Sequence, residues 1–228
     1  MSKSVRVMIE QGTKGKRYVA YAVDWPGWSR GAKSEEAAYD VLESYRERYR
    51  PVARLAGLGD EFDATGSLEV TERYVGTGST DFWGISFSSC PLELTEPMTD
   101  DECERKLALM QATWSYFDDT YGRVSAELQK GPRGVGRSRD EILNHTYATE
   151  RTQFAPKIAV DTPQAVMLTP DGLRDHRDRY LAAIRSYQAE TKNARTWSLP
   201  FLIRHTAYHM MDHAWEMQDK DLTSKESK

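Results

Sequence analysis

The sequence predicts an α+β protein, with a small β-β-α-β-β unit over residues 1–93 and an all-helical unit of four helices over 97–220. Three observations carry this. The β-rich runs are short and confined to the first 90 residues. Long stretches with apolar side chains at three- and four-residue steps begin only beyond residue 98. Between the two, "CPLELTEPM" reads as a linker. A period of two marks a strand and a period of 3.6 a helix.

In chain order, "VRVMIE" (5–10) and "RYVAYAV" (17–23) are strand candidates, and the intervening "QGTKGK" is a glycine-containing turn, so a hairpin is expected. A helix follows from Ser34, a good N-cap, with Ala37, Val41, Leu42 and Tyr45 at helical spacing. Pro51 is expected to end or kink it. Residues 67–75 and 82–89, "SLEVTERYV" and "FWGISFSS", are two more strand candidates.

Thr99 with Glu102 makes a capping box and opens the first long helix. Its stripe is Leu107, Met110, Trp114, Phe117, Tyr121, Val124 and Leu128. "KGPRGVGR" breaks it. Ser138 with Glu141 opens a second helix running through residue 154. Thr169 followed by Pro170 opens a third, which carries Leu173, Tyr180, Ile184 and Tyr187. The fourth spans about 199–219. The tail from 220 to 228 is polar and expected to fray.

Composition narrows the function classes. Hydrophobic residues make up 39% and charged residues 29%, the balance of a soluble globular chain. No apolar run approaches the roughly 20 residues that cross a bilayer. The opening "MSKSVRVMIEQG" lacks the apolar stretch of a signal peptide, so a cytoplasmic location is expected. The net charge is −4 and neither half is basic, which argues against a nucleic-acid partner. Cys90 and Cys103 are too few for a disulfide framework, and both are expected to be reduced.

The chemistry concentrates in "RHTAYHMMDHAWEMQD" (204–219), which holds His205, His209 and His213. Residues four apart share a helix face, with Cβ atoms roughly 5–6 Å apart, so His209 and His213 can reach one metal ion. Each step of four drifts about 40° around the axis, so His205 and His213 diverge. A third ligand is therefore expected from another helix. His145 is the preferred donor, and His176, among "RDHRDR", is its competitor. Met210 occupies the position of the glutamate in H-E-x-x-H, so zincin chemistry lacks its general base.

"HMMDHAWEMQD", "GPRGVGRSRDEILNHTYATERTQF" and the four expected helices together resemble the DinB-like superfamily. That resemblance implies a four-helix bundle binding zinc or nickel through His145, His209 and His213. It also implies chemistry with a low-molecular-weight thiol such as mycothiol, bacillithiol or glutathione. Over the first unit, "YVAYAVDWPGWSRGAKSEEAAYDVLESYRERY" resembles the HicB-like domain: a strand, D-x-P-G, a short strand, then a helix opening with S-x-E-E-A. Trp28 departs from the small residue usual there, and no DNA-binding segment is visible.

Three neutral imidazoles would leave at least one coordination position for a reactant. The leading expectation is activation of a small thiol for transfer to, or isomerisation of, a small organic molecule. The loop "KGPRGVGRSR" offers Lys130, Arg133, Arg137 and Arg139 to an acidic group, at a helix N-terminus. Asp212, Tyr147 and Glu150 are candidates to orient the imidazoles, and Glu216, three residues past His213, could approach the metal or close a salt bridge. Two other readings stay open: a metal-dependent hydrolase using water, and a non-catalytic metal-binding or regulatory protein with a HicB-like interaction module. A homodimer is the default assembly.

Overall fold

A computed structural model describes residues 3–223, so residues 224–228 of the expected frayed tail lie outside it. The chain is α+β, with a four-stranded mixed sheet followed by a mostly helical region. The strands are β1 (Val5–Gln11), β2 (Tyr18–Ala22), β3 (Ser29–Ala32) and β4 (Leu68–Val75), in the order β3-β2-β1-β4. β1 and β2 form the expected antiparallel hairpin, with Val7 opposite Ala22 and Gln11 opposite Tyr18. β4 lies parallel to β1, with an irregularity between Val7 and Met8. A parallel partner needs a crossover. Helices α1 (Glu35–Ser44), α2 (Arg46–Leu55) and α3 (Gly59–Asp63) lie along that connection.

The order is therefore β-β-β-α-α-α-β rather than β-β-α-β-β. Residues 82–89 are not a strand. Helix α4 (Gly78–Trp83) covers the start of that stretch, opened by Thr77 and closed by Gly84 at φ +69°. The side chains beyond it are spent elsewhere. Ser86 donates to Glu10 over 2.5 Å, and Phe87 packs on His205 with ring centroids 5.5 Å apart. Pro51 does not end its helix. The interruption falls at Tyr45, and Pro51 sits inside α2, where it removes one internal hydrogen bond.

The expected linker contains helix α5 (Pro91–Thr95), whose Glu93 is buried. Arg204 donates to Glu93 through Nε (2.8 Å) and Nη2 (3.1 Å), to Ser86 over 2.9 Å, and lies 3.8 Å from the centre of the Tyr21 ring. A fully desolvated Arg–carboxylate pair survives only when its remaining donors are satisfied, and here Ser86 and the Ser88 carbonyl do that.

Next come the long helices α6 (Asp100–Arg123) and α7 (Arg139–Thr149), the short α8 (Gln164–Met167), then α9 (Pro170–Ala189) and α10 (Leu199–Asp219). The capping boxes at Thr99 and Ser138 are both formed. α6 ends at Arg123. Val124 and Leu128 stay buried, but in the loop that follows. One apolar core runs from Val7 and Trp25 through Leu107 and Phe117 to Met210 and Trp215. Full burial of a side chain such as Leu107 contributes about 1.5–3 kcal/mol. No helix among the described residues is long and apolar enough to cross a membrane. Both cysteines are free and buried.

Helix α10 is shared between the two regions. The turn Asp24-Trp25-Pro26-Gly27 presses against it: Gly27 has φ +97°, and a Cβ there would stand 3.0 Å from Met211 Cγ and 3.3 Å from the Ala207 carbonyl. Only glycine allows both that conformation and that approach. Arg30 donates to Asp212 over 2.9 Å and lies over the rings of Tyr45 and Trp215. The sheet region thus holds α10 through Ala207, Met211, Asp212 and Trp215.

Candidate metal centre

His145, His209 and His213 come together. Each offers one ring nitrogen such that the three atoms lie within 4.8 Å of one another. The ring centroids are 5.3 Å (His145–His209), 4.9 Å (His145–His213) and 4.6 Å (His209–His213) apart. The pair on α10 follows from i,i+4 spacing. His145 arrives from α7, which packs on α10. His145 is exposed, His209 half-buried and His213 buried. Zn–N bonds of about 2.0–2.1 Å put tetrahedral ligand atoms roughly 3.4 Å apart. Exposed His145 is the ring with room to swing in.

The donor set fits a divalent transition ion, and two details of the structure agree. The buried Nδ1 of His209 has no hydrogen-bond partner. On His213, Nδ1 lies 2.9 Å from Glu216 Oε2, which leaves Nε2 for a ligand. Although the residue as a whole is exposed, partial desolvation of its ring lowers the pKa of His145, aided by the neighbouring His213 and Arg137 and opposed by Glu216. Burial, with His213, His145, His205 and Arg137 nearby, holds His209 well below the ordinary histidine value. Both rings therefore favour the neutral form that ligates metals. Burial works against the charge on Glu216, yet hydrogen bonds from His213 and Lys220 and the charge of Arg137 prevail, and its pKa falls to about 2.

The other histidines are occupied elsewhere. His205 sits among Phe87, Phe154, Trp197 and Phe201, and burial lowers its pKa to about 3. His176 is buried: its Nδ1 meets Thr162 Oγ1 at 2.8 Å and its Nε2 lies 3.3 Å from Glu150. Thr162 accepts from Arg179, so its hydroxyl is free to donate to His176 Nδ1.

The three candidate orienting groups are engaged elsewhere, whereas Glu216 reaches His213. Asp212 is taken by Arg30, Tyr147 donates to Asp118, and Glu150 is buried with His176 and Arg177. Among the loop cations, Arg137 comes to the site. Its Nη2 donates to Glu216 over 2.7 Å and lies 3.5 Å from His213 Nδ1. Arg139 instead lies over the Tyr121 ring and donates to the Val124 carbonyl. The Arg133 side chain lies outside the described residues.

Sequence periodicity missed Phe154. Residues Glu150–Phe154 form a π-helical turn rather than the end of a uniform α-helix, and Phe154 packs edge-on against His209 with centroids 5.5 Å apart. Such turns recur at functional sites, but no pattern of residue types marks this one. A cleft of about 650 Å³, lined by Arg6, Asp24, Trp25, Glu61 and Arg105 among others, lies elsewhere and includes none of these histidines. Four of its charged groups pair, Arg6 with Asp24 and Arg105 with Glu61, and Lys106 donates to the Val23 carbonyl, so the histidine cluster carries the stronger chemical signal. No family model matches the chain, and neither does any curated protein or solved structure.

Proposed function

We propose that the chain is a metal-dependent enzyme of the DinB-like kind. A divalent ion, zinc or nickel, is held by His145, His209 and His213. A low-molecular-weight thiol such as mycothiol or bacillithiol is activated there for transfer to, or isomerisation of, a small organic molecule. The observation that carries this reading is the convergence of three imidazoles from α7 and α10, with donor atoms within 4.8 Å. The ion's contribution is Lewis acidity, which lowers the pKa of a thiol or water beside it.

The chain's own residues supply the surroundings. Arg137, whose Nη2 is paired with Glu216, stands next to His213, and the rest of its guanidinium is proposed to meet an acidic group of cofactor or substrate. Phe154 walls one side of His209. The exposure of His145 leaves an approach from solvent. Helices α6, α7, α9 and α10 suit the four-helix bundle of that superfamily. In the sheet region, β2, the Asp24–Gly27 turn, β3 and α1 follow the HicB-like order, with Ser34 capping α1. Two-fold association and small-molecule rather than nucleic-acid partners complete the proposal.

Elemental analysis of the purified chain is the first test, followed by turnover of a panel of electrophiles with and without mycothiol, bacillithiol or glutathione. Turnover that needs a thiol, and disappears with chelator and in His145→Ala, is the expected result. Hydrolysis without any thiol would assign the water-based alternative. Full metal occupancy without turnover would assign a metal-binding regulatory role.

A further inference from the structure

Glu216 could serve the cluster in either of two ways, as a fourth ligand or as a support for His213. Its contacts distinguish them. Oε2 lies 2.9 Å from Nδ1 of His213, one helical turn earlier on α10. The same oxygen accepts from Arg137 Nη2 over 2.7 Å, and Oε1 accepts from Lys220 Nζ over 2.7 Å. Both oxygens are therefore engaged, by a cation from the loop before α7 and by Lys220, which caps the end of α10. A carboxylate braced from two sides is not free to swing into a ligand set. Arg137 Nη2 also stands 3.5 Å from His213 Nδ1, where it would donate to the other tautomer, but the shorter 2.9 Å contact is to a carboxylate oxygen, which only accepts and so favours a proton on Nδ1.

We infer that Glu216 is a positioning residue: by accepting the Nδ1 proton of His213 it fixes the tautomer whose lone pair is on Nε2 and presents that nitrogen as the ligand. The hydrogen bond made by one ring nitrogen decides the role of the other, and metal-bound imidazoles are commonly held this way. The ligand role rests on the metal reading above; the tautomer assignment stands on the hydrogen bond alone. An ordinary partly exposed ion pair between Arg137, Glu216 and Lys220 would be weak and would leave the histidine indifferent.

The test uses the full chain in metal-free form. Imidazole nitrogens are observed by ¹⁵N NMR, with His213 assigned by its loss in His213→Gln. His213 is expected as the Nδ1–H tautomer in the wild type and in Glu216→Gln, whose amide oxygen still accepts. In Glu216→Ala it is expected to revert to Nε2–H. Zinc and nickel affinity, measured by competition with a chromophoric chelator, is expected to fall about 10–100-fold in Glu216→Ala and less in Glu216→Gln. Recovery by glutamine, which has no charge, is an outcome that a purely ionic role does not produce. An Nε2–H tautomer in the wild type, or an unchanged tautomer and affinity in Glu216→Ala, would overturn the inference. A wild-type chain that takes up neither metal overturns the metal reading instead, and the tautomer measured on the same sample still decides what Glu216 does to His213.

Discussion

The imidazole of His145 stands edge-on to that of His213, with ring centroids 4.9 Å apart and planes at 90°, although the two residues lie on different helices. Perpendicular rings on neighbouring helices let their nitrogens aim at a common point, and His209 completes the group from the turn before His213.

Removing any one of the three rings is therefore expected to abolish most metal binding. Elemental analysis of His145→Ala, His209→Ala and His213→Ala should find metal content falling from about one ion per chain to near zero, by the three-ligand argument. His145 is exposed, so the metal-free His145→Ala variant is expected to unfold within about 0.5 kcal/mol of the metal-free wild type. Unchanged metal content in all three variants would sink the site.

Binding at this cluster is also a stability term. A ligand that binds only the folded chain adds about 2.7 kcal/mol at a free concentration one hundred times its Kd. Calorimetry with added zinc or nickel is expected to raise Tm, and excess chelator to lower it. The difference is expected to vanish in His209→Ala.

The Arg204–Glu93 pair, with donor–acceptor distances of 2.8 and 3.1 Å, makes a different demand. Glu93→Ala leaves a buried guanidinium without its counter-charge, which costs about 3–5 kcal/mol. Urea denaturation is the measurement, and a loss below about 1 kcal/mol would show that the pair is solvated rather than buried.

Acid is expected to destabilise the chain through His205. Burial takes its folded pKa to about 3, while the unfolded value is near 6.5. Between those values the unfolded chain binds the extra proton, so stability is complete above about pH 6.5 and declines as pH falls toward 3. His205→Phe removes the proton site while keeping an aromatic ring among Phe87, Phe154, Trp197 and Phe201. Denaturation of metal-free protein at pH 7 and pH 4 is expected to show a smaller acid loss in the variant. Equal losses would mean that His205 is not the group responsible.

Gly27 gives a backbone test. At φ +97°, with Met211 Cγ 3.0 Å from the position of a Cβ, Gly27→Ala meets both strain and a close contact. A destabilisation of about 1–3 kcal/mol is expected in thermal unfolding. Because Met211 and His209 share α10, metal affinity is expected to weaken as well.

The features legible along the chain are local ones. Capping boxes and three-four apolar stripes delimited the starts of α6 and α7. The H-x-x-x-H spacing put His209 and His213 on one helix face, because i,i+4 geometry is a property of a single helix. Where a limit was misread, at Tyr45 and at residues 82–89, propensity pointed one way and neighbours another: Ser86 serves Glu10 and Arg204 instead of a strand ladder. Glu216 was visible as the residue three past His213, but its direction was not.

Which partners meet follows from packing between elements far apart in the chain. His145 reaches the pair while His176 is committed to Thr162 and Glu150. His205 is enclosed by aromatic rings. Arg137 turns toward Glu216 while Arg139 turns toward Tyr121. Each of these depends on how separate helices and loops pack, and on a π-helical turn at Glu150–Phe154 that shifts the helical register. Packing between elements distant in sequence leaves no period in the chain, so spacing could nominate these residues but could not join them.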